Sequence, residues 1–386
     1  MIRKFQRKIN KLLKHKDKKL VTIMIGVVLL VVVIVSIVNL TVQRTYNSYS
    51  VIKTKVRTDT STKGYMRFDG DIVKYSDDGI TLLGKDMKAI WSASYSFKNP
   101  SVVTSNNYIA VADVGGKEIN VYDKKGNLKK ISNTREICQI EVSDTGMVAI
   151  LGKEERAYYI SVVNATKKYI DIKTRMKEDG YPLDMAFSQN SKKLVTSYVS
   201  VVDGHANNDV TFYNFGEVGK NYQSKMVKAD SYGEVMVPKV EFMDEDTVSV
   251  FSQERVIVYD MKELPEEKFK SEKYTKMIRS VICDENYVGI IVDDEISDML
   301  RLDLYSKDGR KRLTKKFKFD YDKVEMVKED IILSTRNEAM IIRTSGKVKF
   351  NGSFKEEVDY ILPYNNVDKF IFVTPQNIQR VRFISD

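Results

Sequence analysis

The chain has 386 residues, of which 30% are charged and 42% hydrophobic, a balance that excludes a disordered polymer and a polytopic membrane protein and suffices for one large domain or two ordinary ones. Two cysteines and two histidines, His15 and His205, exclude a disulfide-stapled scaffold and a cysteine-rich zinc module and leave little for a His-based metal site or a Ser-His-Asp triad. The net charge of +10 is uneven: residues 1–19 hold nine Lys/Arg against Asp17 alone, and the remaining chain carries 54 basic and 52 acidic residues, so nucleic acid is not an expected partner of the folded part.

The basic tail 1–19 carries Ile2, Phe5, Ile9 and Leu12 at spacings of 3, 4 and 3. That period fits a basic amphipathic helix on anionic inner-leaflet lipids, and a solvated tail that only sets topology fits equally. Leu20–Leu40 follows, 21 residues without a charge. At about 1.5 Å per residue a helix of that length spans a hydrocarbon core of ~30 Å. Nine basic residues precede it, whereas Arg44 is the only charge in the ten residues after it. The positive-inside rule then puts the N-terminus in the cytoplasm and the rest outside the membrane. A cleaved signal peptide needs a small-x-small exit. The exit here reads Ser36-Ile37-Val38-Asn39-Leu40, so an uncleaved transmembrane helix over 20–40 is expected.

Residues 41–63, rich in Thr, Ser, Tyr and Lys without a sustained apolar period, read as an extracytoplasmic linker. Tyr46 and Tyr49 fit either the outer membrane interface or a solvated tether.

From Gly64 to the end, residues 64–386, the pattern becomes short β-branched and aromatic runs bounded by polar turns. Tyr108-Ile109-Ala110-Val111-Ala112, Thr247-Val248-Ser249-Val250-Phe251 and Phe370-Ile371-Phe372-Val373 are examples, and such runs predict strands. The domain is expected to be all-β. One polar turn recurs, starting at Ser105, Ser143, Ser188, Met243, Cys283, Lys328 and Tyr364. The steps of 38, 45, 55, 40, 45 and 36 average near 43, the length of a four-stranded propeller blade. A second, Gly-containing turn recurs in the same units, as in Asp123-Lys124-Lys125-Gly126 and Ser306-Lys307-Asp308-Gly309. The spacing predicts a β-propeller of four-stranded blades, eight in number, with seven the alternative. The ends supply three strands each, 71–75, 79–83 and 89–95 against 358–362, 369–374 and 378–384. A strand near Tyr65–Phe68 is expected to close the C-terminal blade and leave the first one short or irregular.

Gly180-Tyr181-Pro182-Leu183-Asp184, Phe212-Tyr213-Asn214-Phe215-Gly216-Glu217-Val218-Gly219 and Val237-Pro238-Lys239-Val240-Glu241-Phe242 resemble recurring phrases of a clostridial (Firmicutes) family of single-pass, membrane-anchored β-propellers whose function is unknown. The resemblance covers nearly the whole chain. It implies a low-GC Gram-positive source and an extracytoplasmic propeller, and it supplies no activity, cofactor or catalytic residue. More loosely, the blades are similar to quinoprotein-like and outer-membrane-assembly scaffold propellers.

No catalytic, cofactor-binding or metal residues emerge from the residues themselves. Trp91, the single tryptophan, reads as a blade-packing residue, and His205 as the exposed tip of a long hairpin. Asp244-Glu245-Asp246 and Asp293-Asp294-Glu295 lack the oxygen-ligand spacing of a Ca²⁺ loop and read as solvated turns. Cys138 lies five residues before Ser143, whereas Cys283 itself starts a turn three blades on, so two separate thiols are expected rather than a disulfide. Three functions compete: a protein-interaction scaffold in the cell envelope, a sensor binding a wall fragment or small ligand at the propeller mouth, and a hydrolase or lyase.

Overall fold

The computed structural model describes residues 23–33, 44–58, 61–155, 157–164, 168–175, 180–365 and 367–385. The basic tail with His15 and most of the linker's junction with the apolar segment lie outside the described residues. Within Leu20–Leu40, residues 23–33 form a helix whose apolar side chains are exposed. Among the described residues no helix is long and apolar enough to cross a membrane.

The remainder is all-β, folded into eight four-stranded antiparallel sheets. Blades 1 to 7 are each consecutive in the chain: 64–94, 100–132, 136–175, 181–233, 239–270, 278–317 and 323–353. Within a blade the inner strands read as nearly continuous apolar runs because neighbouring blades cover both their faces. Tyr108–Asp113 buries its four central residues, whereas the outermost strand of the same blade, Leu128–Ser132, buries only Ile131.

Packing between blades shows that the ring is closed. Eight apolar clusters each join two neighbouring blades, from blades 1 and 2 (Phe68, Leu82, Ile109, Tyr122) round to blades 7 and 8 (Ile341, Phe350, Phe370, Phe383). The eighth joins blade 8 back to blade 1 through Leu362, Ile371 and Val373 against Ile72, Leu83 and Met87. An open stack of eight sheets would leave that last pair of faces wet. Eight blades, rather than seven, is therefore the count.

The closing strand differs from the expected one. Gly64–Phe68 pairs with Asp71–Tyr75 and completes blade 1, so that blade is neither short nor irregular. Blade 8 takes Tyr360–Pro363, Lys369–Val373 and Asn377–Ile384 from the C-terminus and its outermost strand, Ser48–Val56, from the segment expected to be a linker. Pairing runs antiparallel from Ser48 opposite Ile384 to Val56 opposite Asn377, with a bulge between Val51 and Lys53. Val51, Ile52, Thr54 and Val56 favour an extended backbone. The sequence pattern hides the strand because only Tyr49 is buried on it; an outer strand needs backbone partners and no apolar stripe.

Six of the seven recurring polar turns place a side-chain oxygen over the amides that follow, which fixes the reversal locally, whereas the turn at Lys328 reverses in two residues with Lys328 at φ +56°. Ser105 Oγ accepts from Tyr108 N at 3.2 Å, Asp244 Oδ1 from Thr247 N at 2.7 Å, Asp284 Oδ1 from Tyr287 N at 2.8 Å and Asn365 Oδ1 from Asp368 N at 3.0 Å. The second turn type makes contact between blades. Gly126, at φ +83°, lies under Trp91 of blade 1, where an added Cβ would sit 2.7 Å from the indole; Gly309, at φ +86°, takes Phe269 of blade 5 in the same way at 2.6 Å. Glycine is needed there for both the backbone conformation and the close approach.

Candidate functional site: the central cavity and its mouth

Strand direction alternates, so the turns after the first and third strands of every blade lie on one face of the ring. The hairpins after the second strand and the links between blades lie on the other. On the first face a central cavity of about 940 Å³ opens, lined by residues of all eight blades, including Arg67, Ser105, Asp144, Glu241, Asp284 and Tyr364. The recurrent polar turn therefore forms the rim of the mouth.

That rim is cross-linked by hydrogen bonds from blade to blade. Asn106 N and Nδ2 donate to Asp144 at 2.7 and 2.9 Å, Asp144 N donates to the Gln189 carbonyl at 3.0 Å, and Asn190 Nδ2 donates to Glu245 at 3.1 Å. Lys193 is buried and paired with Asp246, and Lys307 reaches Asp244 at 3.2 Å. The Asp244-Glu245-Asp246 turn thus binds side chains of its own ring. Asp293 is paired with Arg279 at 2.8 Å, Asp294 with Lys316 at 2.8 Å, and Glu295 accepts from Thr275 at 3.0 Å. Among the described residues no three His, Cys, Asp or Glu side chains converge as metal ligands.

Below the rim, the first strands of blades 3, 4 and 5 bring carboxylates together. Gln139 Nε2 donates to Asp184 Oδ1 at 3.0 Å and the Val240 amide donates to Asp184 Oδ2 at 2.9 Å, so one carboxylate ties three blades. Lys239 Nζ lies 3.6 Å from Glu241 Oε2. Burial in the cavity wall, with Asp184 and Glu241 beside it and Lys239 opposing them, pushes Glu141 up to about 8. Burial also raises Glu241. Burial would lower Lys239, but Glu241, Asp184 and Glu141 outweigh it and hold the ammonium more firmly protonated. In a neighbouring pocket of about 260 Å³ that shares Arg67 with the cavity, Tyr360 Oη donates to Glu325 Oε2 at 3.4 Å, and burial raises Glu325 against the opposing pull of Arg67. The wall is therefore polar, with more carboxylates than cations, and Glu141 keeps its proton more readily than an ordinary carboxyl.

The residues weighed from sequence fall as follows. Trp91 stacks on Tyr122 with centroids 5.3 Å apart and donates to the Lys124 carbonyl at 3.2 Å, a packing role between blades 1 and 2. His205 stands on the far face at the tip of the longest hairpin, 2.9 Å from Glu234 and exposed. Cys138 packs between blades 3 and 4 and Cys283 between blades 5 and 6, each a free thiol. Burial raises the pKa of both, which keeps them protonated and weakly nucleophilic. Glu141, Asp184, Glu241 and Glu325 are not among the candidate residues that the sequence motifs mark. A signal for them exists, a carboxylate between apolar neighbours in the first strand of a blade: Ile140-Glu141-Val142, Leu183-Asp184-Met185, Val240-Glu241-Phe242 and Val324-Glu325-Met326. Two of the phrases that carry the family resemblance meet at this point, through the Val240 amide on Asp184.

No curated protein matches the chain. Among solved structures, the C-terminal WD40 domain of Sif2 aligns with 89% of this chain and 100% of its own at 9% identity and a TM-score of 0.56. BamB from Moraxella catarrhalis aligns with 87% of this chain and 100% of its own, at 9% identity and a TM-score of 0.50. At such identities the likeness is one of fold, a propeller in both cases. A model for a family of unknown function, DUF5711, matches residues 42–383, from just before the closing strand to the end of the last blade, and the chain belongs to that family.

Proposed function

We propose that this protein is a single-pass, N-in/C-out membrane protein whose extracytoplasmic propeller scaffolds other proteins of the cell envelope. The observation that carries the reading is the position of the closing strand. Ser48–Val56 begins eight residues after Leu40 and is locked into blade 8, so the apolar segment lies within eight residues of a rigid disc. The uncharged stretch Leu20–Leu40, the nine basic residues before it and the exposed apolar helix at 23–33 support a membrane anchor. The resemblance to clostridial envelope propellers supports the setting, and the loop-bearing faces of a closed ring support a scaffold. Protease added to intact wall-stripped cells should degrade the propeller and spare the tail; a protected propeller defeats the orientation. Proximity labelling from the propeller in its host membrane should enrich a small set of envelope proteins, and labelling indistinguishable from that of an unrelated anchored domain would defeat the scaffold.

A second reading, a sensor of a small ligand at the mouth, is favoured by the acid-rich cavity of about 940 Å³. Its mark would be stabilisation of the purified propeller by cationic wall fragments, lost in Glu241→Gln.

A further inference from the structure

We infer that the ring stands on the membrane with its cavity mouth turned toward the bilayer. The inference rests on the membrane anchor proposed above.

The chain enters the propeller on the mouth face. Arg343, which lines the mouth, donates from Nη1 to the carbonyl of Arg44 at 3.2 Å. Thr45 Oγ1 donates to the Val348 carbonyl at 2.9 Å, and Tyr46 N donates to the Lys349 carbonyl at 2.8 Å. The Tyr46 ring is buried, with Phe383 at 6.2 Å. From there Ser48–Val56 runs to the far face, where Arg57 N donates to the Gln376 carbonyl at 2.8 Å. Nine strand residues cover about 25 Å at ~3.3 Å each, so the two ends of this strand mark the two faces of the disc.

The tether leaves little room. From Leu40 to the pinned Tyr46 there are six Cα steps, which reach at most about 20–22 Å when fully extended. A folded domain of about 100 residues has a radius of gyration near 13 Å and a diameter above 30 Å. It does not fit between the mouth and the bilayer beside the tether, whereas a small solute does.

The test uses the full chain in vesicles carrying an acceptor dye on the lipid headgroup. A donor dye is attached to Lys125→Cys, on a mouth-face turn of blade 2, or to His205→Cys, on the far face. Lys262→Cys and Asp298→Cys form a second pair on the same two faces, should either of the first fail to fold. Energy transfer to the lipid should be higher from position 125 than from 205, and higher from 262 than from 298. Equal transfer, as for a ring standing on its edge, or the reverse order overturns the orientation. Protein that fails to float with the vesicles overturns it by removing the anchor itself, a result distinct from altered transfer in protein that floats.

Discussion

The ring of Tyr49 stands edge-on to that of Phe372, with centroids 5.1 Å apart and planes at 66°, although the two residues come from opposite ends of the chain. Its hydroxyl accepts from the Lys355 amide at 2.9 Å. Tyr49 is the one buried residue of the closing strand, so it joins that strand to the core between blades 7 and 8. Tyr49→Ala is expected to cost about 3–5 kcal/mol, as for other buried aromatic truncations. Removing the strand altogether exposes the edge of Asn377–Ile384, and an unpaired edge promotes association. Propellers beginning at residues 44 and 61 should therefore differ in monomer yield and melting temperature. Equal behaviour would mean that blade 8 is stable with three strands.

Lys349 and Asp330 form a buried ion pair at the mouth end of blade 7, with the ammonium 5.0 Å from the Phe370 ring centroid. Burial raises Asp330 and lowers Lys349, each shift opposed by the partner's charge. Lys349→Met leaves the buried Asp330 carboxylate with Arg343 as its neighbouring cation and should destabilise by up to about 3–5 kcal/mol. Lys349→Met with Asp330→Asn should lose less than the single change. Urea unfolding of the set decides it, and additive losses would count against the pairing.

Glu141 makes stability depend on pH in a definite direction. Its folded pKa of about 8 lies above the ordinary value of 4.5, so the folded state binds the proton more tightly than the unfolded chain. Stability contributed by this group is therefore present at low pH and is lost as pH rises from about 4.5 to about 8. Glu141→Gln should flatten that decline and raise the melting temperature at pH above 8, with little change at acid pH. An unchanged profile would show that Glu141 binds its proton equally in the folded and unfolded chain.

The thiols of Cys138 and Cys283 occupy different blade interfaces and are held protonated by burial. Maleimide should modify both slowly in the native protein, and both rapidly in denaturant without added reductant. Mass spectrometry that finds a Cys138–Cys283 linked peptide would refute this.

The sequence by itself determined what is local and repeated. Most blades are announced by a polar turn and by apolar runs, because a side-chain oxygen over two or three amides, as at Asp284 and Asn365, acts within five residues of chain. Blade repeat and strand positions were legible for that reason, as was the charge asymmetry around Leu20–Leu40. Tertiary structure decided what depends on distant residues. Ser48–Val56 closes the ring through backbone hydrogen bonds to Asn377–Ile384, and backbone pairing at an outer edge leaves no alternation to read. The cavity wall is likewise a meeting in space. Glu141, Asp184 and Glu241 are single acids in three separate strands, and their proximity, with the raised pKa of Glu141, exists only once blades 3, 4 and 5 stand side by side around one axis.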